Sequence, residues 1–132
     1  DLNETQGWTF EGAREIWIGK DSWHDRFVFY HEMGHLYDHG MSRADRRKFA
    51  DLLQDDHGWW ERQGEGRYAG SLGEWFADYY ASCAEHWYTT PYVLKGSTDP
   101  WIRGYTKPRV SDKTYRKVCR MIKESTWVGK TK

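Results

Sequence analysis

The segment from Leu72 to Trp87 constrains the fold most, because both of its sides are committed. Leu72, Trp75, Phe76, Tyr79, Tyr80, Cys83, Ala84 and Trp87 recur at i, i+3, i+4 and i+7 without a miss. That spacing predicts a helix with a continuous apolar stripe. The other side carries Glu74, Asp78 and Glu85, with Ala77 and Ala81 between them. A solvent-facing side would set Lys or Arg one turn from each acid. No Lys or Arg occurs from Tyr68 to Leu94. Uncompensated acids interleaved with alanines predict a face that a second helix approaches closely, with a cation held between the two.

The other elements can be placed around this helix. Trp8-Thr9-Phe10 and the stretch from Arg14 to Ile18 alternate in character across Glu11-Gly12 and read as a hairpin. Ser22-Trp23-His24-Asp25 has capping-box spacing and opens a helix that closes at Gly40. Ser42 followed by Asp45 caps a second helix, buried through Phe49, Leu52 and Leu53. Residues 54–70 set Gly58, Gly64, Gly66 and Gly70 around Trp59-Trp60, a loop with apolar cargo. Beyond the third helix lies a loop with Pro91, Gly96, Pro100, Gly104 and Pro108. Ser111 then caps a last helix buried through Tyr115, Val118, Cys119 and Ile122. There is no internal repeat or low-complexity tract. The expectation is an α+β fold, a short N-terminal β-sheet or hairpin and about four helices, in a single domain over 1–132.

Composition narrows the function classes. A core is attainable in 132 residues mainly because 9 Trp, 9 Tyr and 5 Phe supply large buried side chains, which argues against a disordered tail. No run approaches the roughly 18 apolar residues of a spanning helix, so no membrane segment is expected. Cys83 and Cys119 are too few for a Cys-rich zinc site and allow one bridge or two free thiols. The compartment therefore stays open between cytoplasmic and secreted. The chain starts at Asp1, so an N-terminal segment could have been trimmed from it.

The zero net charge conceals a split. Residues 1–94 hold 9 basic and 17 acidic side chains, and residues 95–132 hold 11 basic and 3 acidic. A basic stretch beside Trp101, Tyr105, Tyr115 and Trp127 offers an alternative reading as a nucleic-acid-binding module. The plainer reading is a solvated surface, or a tail lying against its own acidic body.

The sharpest chemical signal is His31-Glu32-Met33-Gly34-His35, an HExxH sequence inside the first helix. Histidines at i and i+4 share one face, so both imidazoles can reach one zinc ion, and Glu32 between them can reach a water on it. Gly34 removes a side chain where another segment could approach. A catalytic zinc site takes a third protein ligand. A third histidine six residues after His35 would define a metzincin, but Met41 stands there. His39 lies a further turn along the same helix, His57 stays open as a candidate in the glycine loop, and Glu74 ranks first. Asp78, one turn beyond Glu74, would hold the far nitrogen of a ligating histidine. The competing role for Glu74 is structural, since Ser71-Leu72-Gly73-Glu74 is itself a capping-box pattern.

From Phe27 to Glu124 the chain resembles the short gluzincin metallopeptidases related to the anthrax lethal factor catalytic domain and to the pro-pro endopeptidases. The resemblance rests on HEMGHLYD at 31–38, on Tyr68 six residues before Glu74, and on EWFADYYA at 74–81. It implies a small zincin-like domain with its cleft between the HExxH helix and the Glu74 helix. It also implies zinc on His31, His35 and Glu74, Glu32 as general base, Tyr68 at the oxyanion, and supporting roles for Asp78 and Asp38, the latter orienting His35. The implied partner is a peptide or protein substrate. Domains of this kind also occur inside phage and toxin polypeptides, so the chain could be part of a longer protein. The N-terminal sheet is abbreviated relative to that pattern. The alternative within metal chemistry is a non-catalytic domain in which zinc merely fastens two helices.

Overall fold

The computed structural model describes residues 7–10, 15–19, 26–55, 57–61, 70–88 and 110–125. Two strands, β1 (Gly7–Phe10) and β2 (Glu15–Ile18), pair antiparallel with Trp8 opposite Trp17 and Thr9 opposite Ile16. Along β2 exposure alternates, Glu15 and Trp17 facing solvent and Ile16 and Ile18 half-buried. The helices described are α1 (Arg26–His39), α2 (Arg43–Leu52), α3 (Leu72–Tyr88) and α4 (Asp112–Glu124). Among the described residues the architecture is therefore α+β, two paired strands with four helices. Among the described residues no helix is long and apolar enough to cross a membrane.

Local chemistry explains the helix ends. Ser42 Oγ accepts from Asp45 N at 3.1 Å, and Ser111 Oγ accepts from Thr114 N at 3.2 Å, each satisfying an amide that the first turn leaves without a partner. Gln54, at φ 54°, turns the chain out of α2 in the left-handed region. Before α3, Gly70 takes φ 69°, which a residue without a Cβ adopts at no steric cost. The Ser22 to Asp25 box expected to open α1 lies outside the described residues.

α3 is the central element. Its aromatic stripe supplies Leu72, Trp75, Phe76, Tyr79 and Cys83 to the core, joined by Met41, by Phe49 and Leu53 from the α2 region, and by Tyr115, Val118, Cys119 and Ile122 from α4. Trp87 lies outside the residues whose side chains are described. Phe49 is the hub. Its ring meets Phe76 edge-on at 5.2 Å and Tyr79 at 5.9 Å, and Tyr79 in turn meets Tyr115 at 6.0 Å. Such tilted pairs add to the gain from area burial. Cys83 and Cys119 are joined as a disulfide that ties α3 to α4.

The acidic side of α3 is buried as well, since Ala77, Asp78, Ala81 and Ser82 are all at 0% exposure. α1 covers it. A Cβ placed on Gly34 would lie 2.9 Å from Ala77 Cα and 3.1 Å from Tyr80 Cβ. Only a glycine against an alanine lets the two backbones come this close, and that approach brings their polar side chains together.

Candidate metal centre

Three donors from two helices converge in the α1–α3 contact. His31 and His35 lie one turn apart on α1, and Glu74 lies in the first turn of α3. His31 Nε2 is 3.0 Å from Glu74 Oε2, His35 Nε2 is 3.4 Å from Glu74 Oε1, and the two Nε2 atoms are 3.1 Å apart. The rings meet edge to face, with centroids 4.7 Å apart. A tetrahedral zinc ion with ligand arms of about 2.0–2.1 Å places neighbouring donors about 3.3 Å apart. The observed separations match that edge, and two imidazole nitrogens with a carboxylate form a donor set that suits zinc. Among the described residues this is the group able to hold a metal ion.

Glu74 resolves its two competing roles. Its backbone N–H is capped by Ser71 Oγ at 3.2 Å, so half of the capping box forms. The carboxylate does not complete the box; it goes to the histidines. Asp78 Oδ1 lies 2.8 Å from His31 Nδ1, which fixes the ring with Nε2 facing the other donors. Burial pushes the His31 imidazolium toward losing its proton, but hydrogen bonds and charge from Asp78 and Glu74 outweigh it and pull the group up to about 10. Burial likewise pushes Glu74 up, while the two imidazoles hold it well below the usual carboxylate range.

Other sequence candidates fall elsewhere. His57 is exposed and its Nδ1 pairs with Asp55 Oδ1 at 2.5 Å, while His39 is exposed at the end of α1; neither belongs to the donor group. Asp38 is fully buried, with Oδ1 2.8 Å from Arg46 Nη2 on α2. The Arg46 guanidinium sits 4.7 Å above the Trp59 ring. His35 Nδ1 finds no hydrogen-bond partner among the described residues. Tyr68 lies outside the described residues, and nothing is described of the Glu85 side chain.

Two further side chains, Trp60 and Thr9, lie against the HExxH segment. Trp60, 36% exposed, lies with its ring centroid 5.7 Å from that of His35. It is seated over Gly73, where a Cβ would come within 2.6 Å of the indole. Glu32, next to His31, is buried under β1, and Thr9 Oγ1 lies 2.5 Å from its Oε2. The apolar loop around Trp59-Trp60 had marked out Trp60, whereas nothing local in the sequence pointed to Thr9.

Compared with models of known families, with curated proteins and with solved structures, the chain matches none.

Proposed function

We propose that the protein is a zinc-dependent endopeptidase of the gluzincin type, built on a small zincin-like domain whose cleft lies between α1 and α3. The observation that carries the reading is the convergence of His31, His35 and Glu74 at donor–donor distances of 3.0 to 3.4 Å beside a buried glutamate. When bound, zinc supplies Lewis acidity that brings a water within reach of proton loss near neutral pH. Glu32 takes that proton and returns it to the leaving amine nitrogen. Asp78 holds His31 in the ligating tautomer and so orients the ring through its far nitrogen. Tyr68 is the proposed donor to the developing oxyanion, a contribution of about 3 kcal/mol where such donors have been removed. An extended peptide would add alongside β2 and rest a side chain against Trp60.

Metal analysis of the purified chain, combined with cleavage profiling of random peptides with and without chelator, tests the proposal. One zinc per chain and chelator-sensitive cleavage are expected. Glu32→Gln should keep the metal and lose turnover, and a variant that stays active would remove Glu32 from the proton transfer. Zinc bound with no cleavage of any peptide would instead assign the ion a purely architectural role.

A further inference from the structure

Within the HExxH sequence, Glu32 is gripped by a strand outside the two helices that carry the candidate donors. β1 lies across α1, and strand alternation puts Gly7 and Thr9 on the same side of it. Both meet Glu32. Thr9 Oγ1 is 2.5 Å from Glu32 Oε2 and 3.0 Å from the Glu32 carbonyl oxygen. The hydroxyl has a single proton, and the carboxylate is the stronger acceptor because the bond to it is charge-assisted. A Cβ on Gly7 would stand 2.9 Å from Glu32 Cγ, 3.0 Å from Oε1 and 3.0 Å from Val28 Cγ1. One residue thus binds the side chain, and the other lacks a side chain where one would displace it. Glu32 is left 6% exposed.

We infer that Thr9 is a positioning residue for Glu32. Its hydroxyl holds Oε2 and fixes the carboxylate rotamer. Gly7 is the residue that lets the strand come close enough for Thr9 to reach. This inference rests on the reading of Glu32 as the general base. A carboxylate free to swing between rotamers would meet the reacting water in only part of its encounters, which lowers turnover without weakening substrate binding.

Thr9→Val removes the donor at nearly constant volume, and Thr9→Ser restores it. The expected result for Thr9→Val is a fall in kcat of about tenfold or more, with KM and zinc content close to those of the parent. Thr9→Ser should recover most of the loss. Gly7→Ala should lower kcat in the same way with zinc retained. A Thr9→Val enzyme with parental kcat, or one that loses zinc and activity together, would overturn the inference.

A second measurement separates this failure from that of the peptidase reading. In the metal-free protein, Thr9→Val, Glu32→Ala and the double variant form a cycle read by melting temperature. Non-additivity of about 2 °C or more shows that Thr9 holds Glu32 whether or not the parent cleaves peptides. Additive shifts would overturn the link even if the parent proves to be an active peptidase.

Discussion

At the scale of single residues, the proposed zinc ion and a proton would compete for His31. A metal ligand must be a neutral imidazole, but Asp78 and Glu74 hold the metal-free imidazole protonated up to about 10. Zinc binding near pH 7 should therefore expel about one proton per ion, and zinc affinity should rise as pH is raised toward 10. Calorimetry in two buffers of different ionisation heat reads this directly. Equal heats would mean that His31 was neutral before the ion arrived. The metal-free fold follows the opposite sign. A histidine whose folded value lies above its unfolded value of about 6.5 stabilises fully below that value and loses the contribution as pH rises through about 10. The melting temperature of the metal-free protein should fall across that window, as a pH series of thermal melts would record.

Glu74 and Asp78 separate in the same way by what they touch. The cap at Ser71 uses only the Glu74 backbone N–H, so Glu74→Ala should lose zinc while keeping the helix start intact. Dialysis against a zinc buffer, compared with helix content by circular dichroism, would check both halves. Asp78→Asn should weaken zinc binding by about 10–100-fold, the usual effect of removing a partner from a ligating histidine. All four of these side chains were legible in the sequence. His31 and His35 are placed by helical spacing, and Glu74 and Asp78 by the missing basic residues around them. Asp38 was not legible in the same sense. Its neighbour Arg46 reaches it from the next helix, and a tertiary pairing of that kind leaves no periodic trace.

At the scale of elements, the contact of Gly34 with Ala77 determines whether α1 and α3 can share ligands. Propensity alone makes Gly34→Ala stabilising by roughly 1 kcal/mol, since glycine is a poor residue for a helix interior. Packing reverses the sign, because the new methyl would meet the α3 backbone at 2.9 Å and neither helix can yield without parting from the other. Destabilisation of about 1–3 kcal/mol is expected, read as a lower urea midpoint, together with weaker zinc binding. The sequence showed that a close approach would occur on the Ala77 side of α3, because small residues and acids alternate there. It did not show that Gly34 was the residue opposite, since helix pairing depends on crossing geometry that neither sequence contains alone. The last helix was read almost completely, its four expected core residues being the four that are buried. An amphipathic helix carries its whole orientation in its own spacing.

At the scale of the molecule, the disulfide between Cys83 and Cys119 closes a loop between residues 36 apart, which restricts the unfolded chain by about 4 kcal/mol in the loop-entropy account. Replacing both cysteines with alanine should lower the unfolding free energy by about 2–5 kcal/mol, measured by urea titration against the oxidised parent. Two cysteines in a sequence cannot declare whether they meet. Here each sits on the buried stripe of its own helix, and the stripes face each other. Of the basic stretch, Lys113, Arg116, Lys117, Arg120 and Lys123 are exposed on α4, and among the described residues they form no ion pairs. Tyr115, one of the rings offered for stacking on bases, is buried in the core, and Trp101, Tyr105 and Trp127 lie outside the described residues.

The burial of α3 from Leu72 to Ala84 also bears on how such a chain can change over generations. From Leu72 to Ala84 only Glu74 and Tyr80 escape full burial, and Glu74 is taken up by the histidines. That rod has no idle flank on which drift could go unnoticed. Descendants of this sequence should diverge first along the outward rows of α2 and α4, and a saturation library scored for folding should find the central rod the least forgiving stretch of the chain.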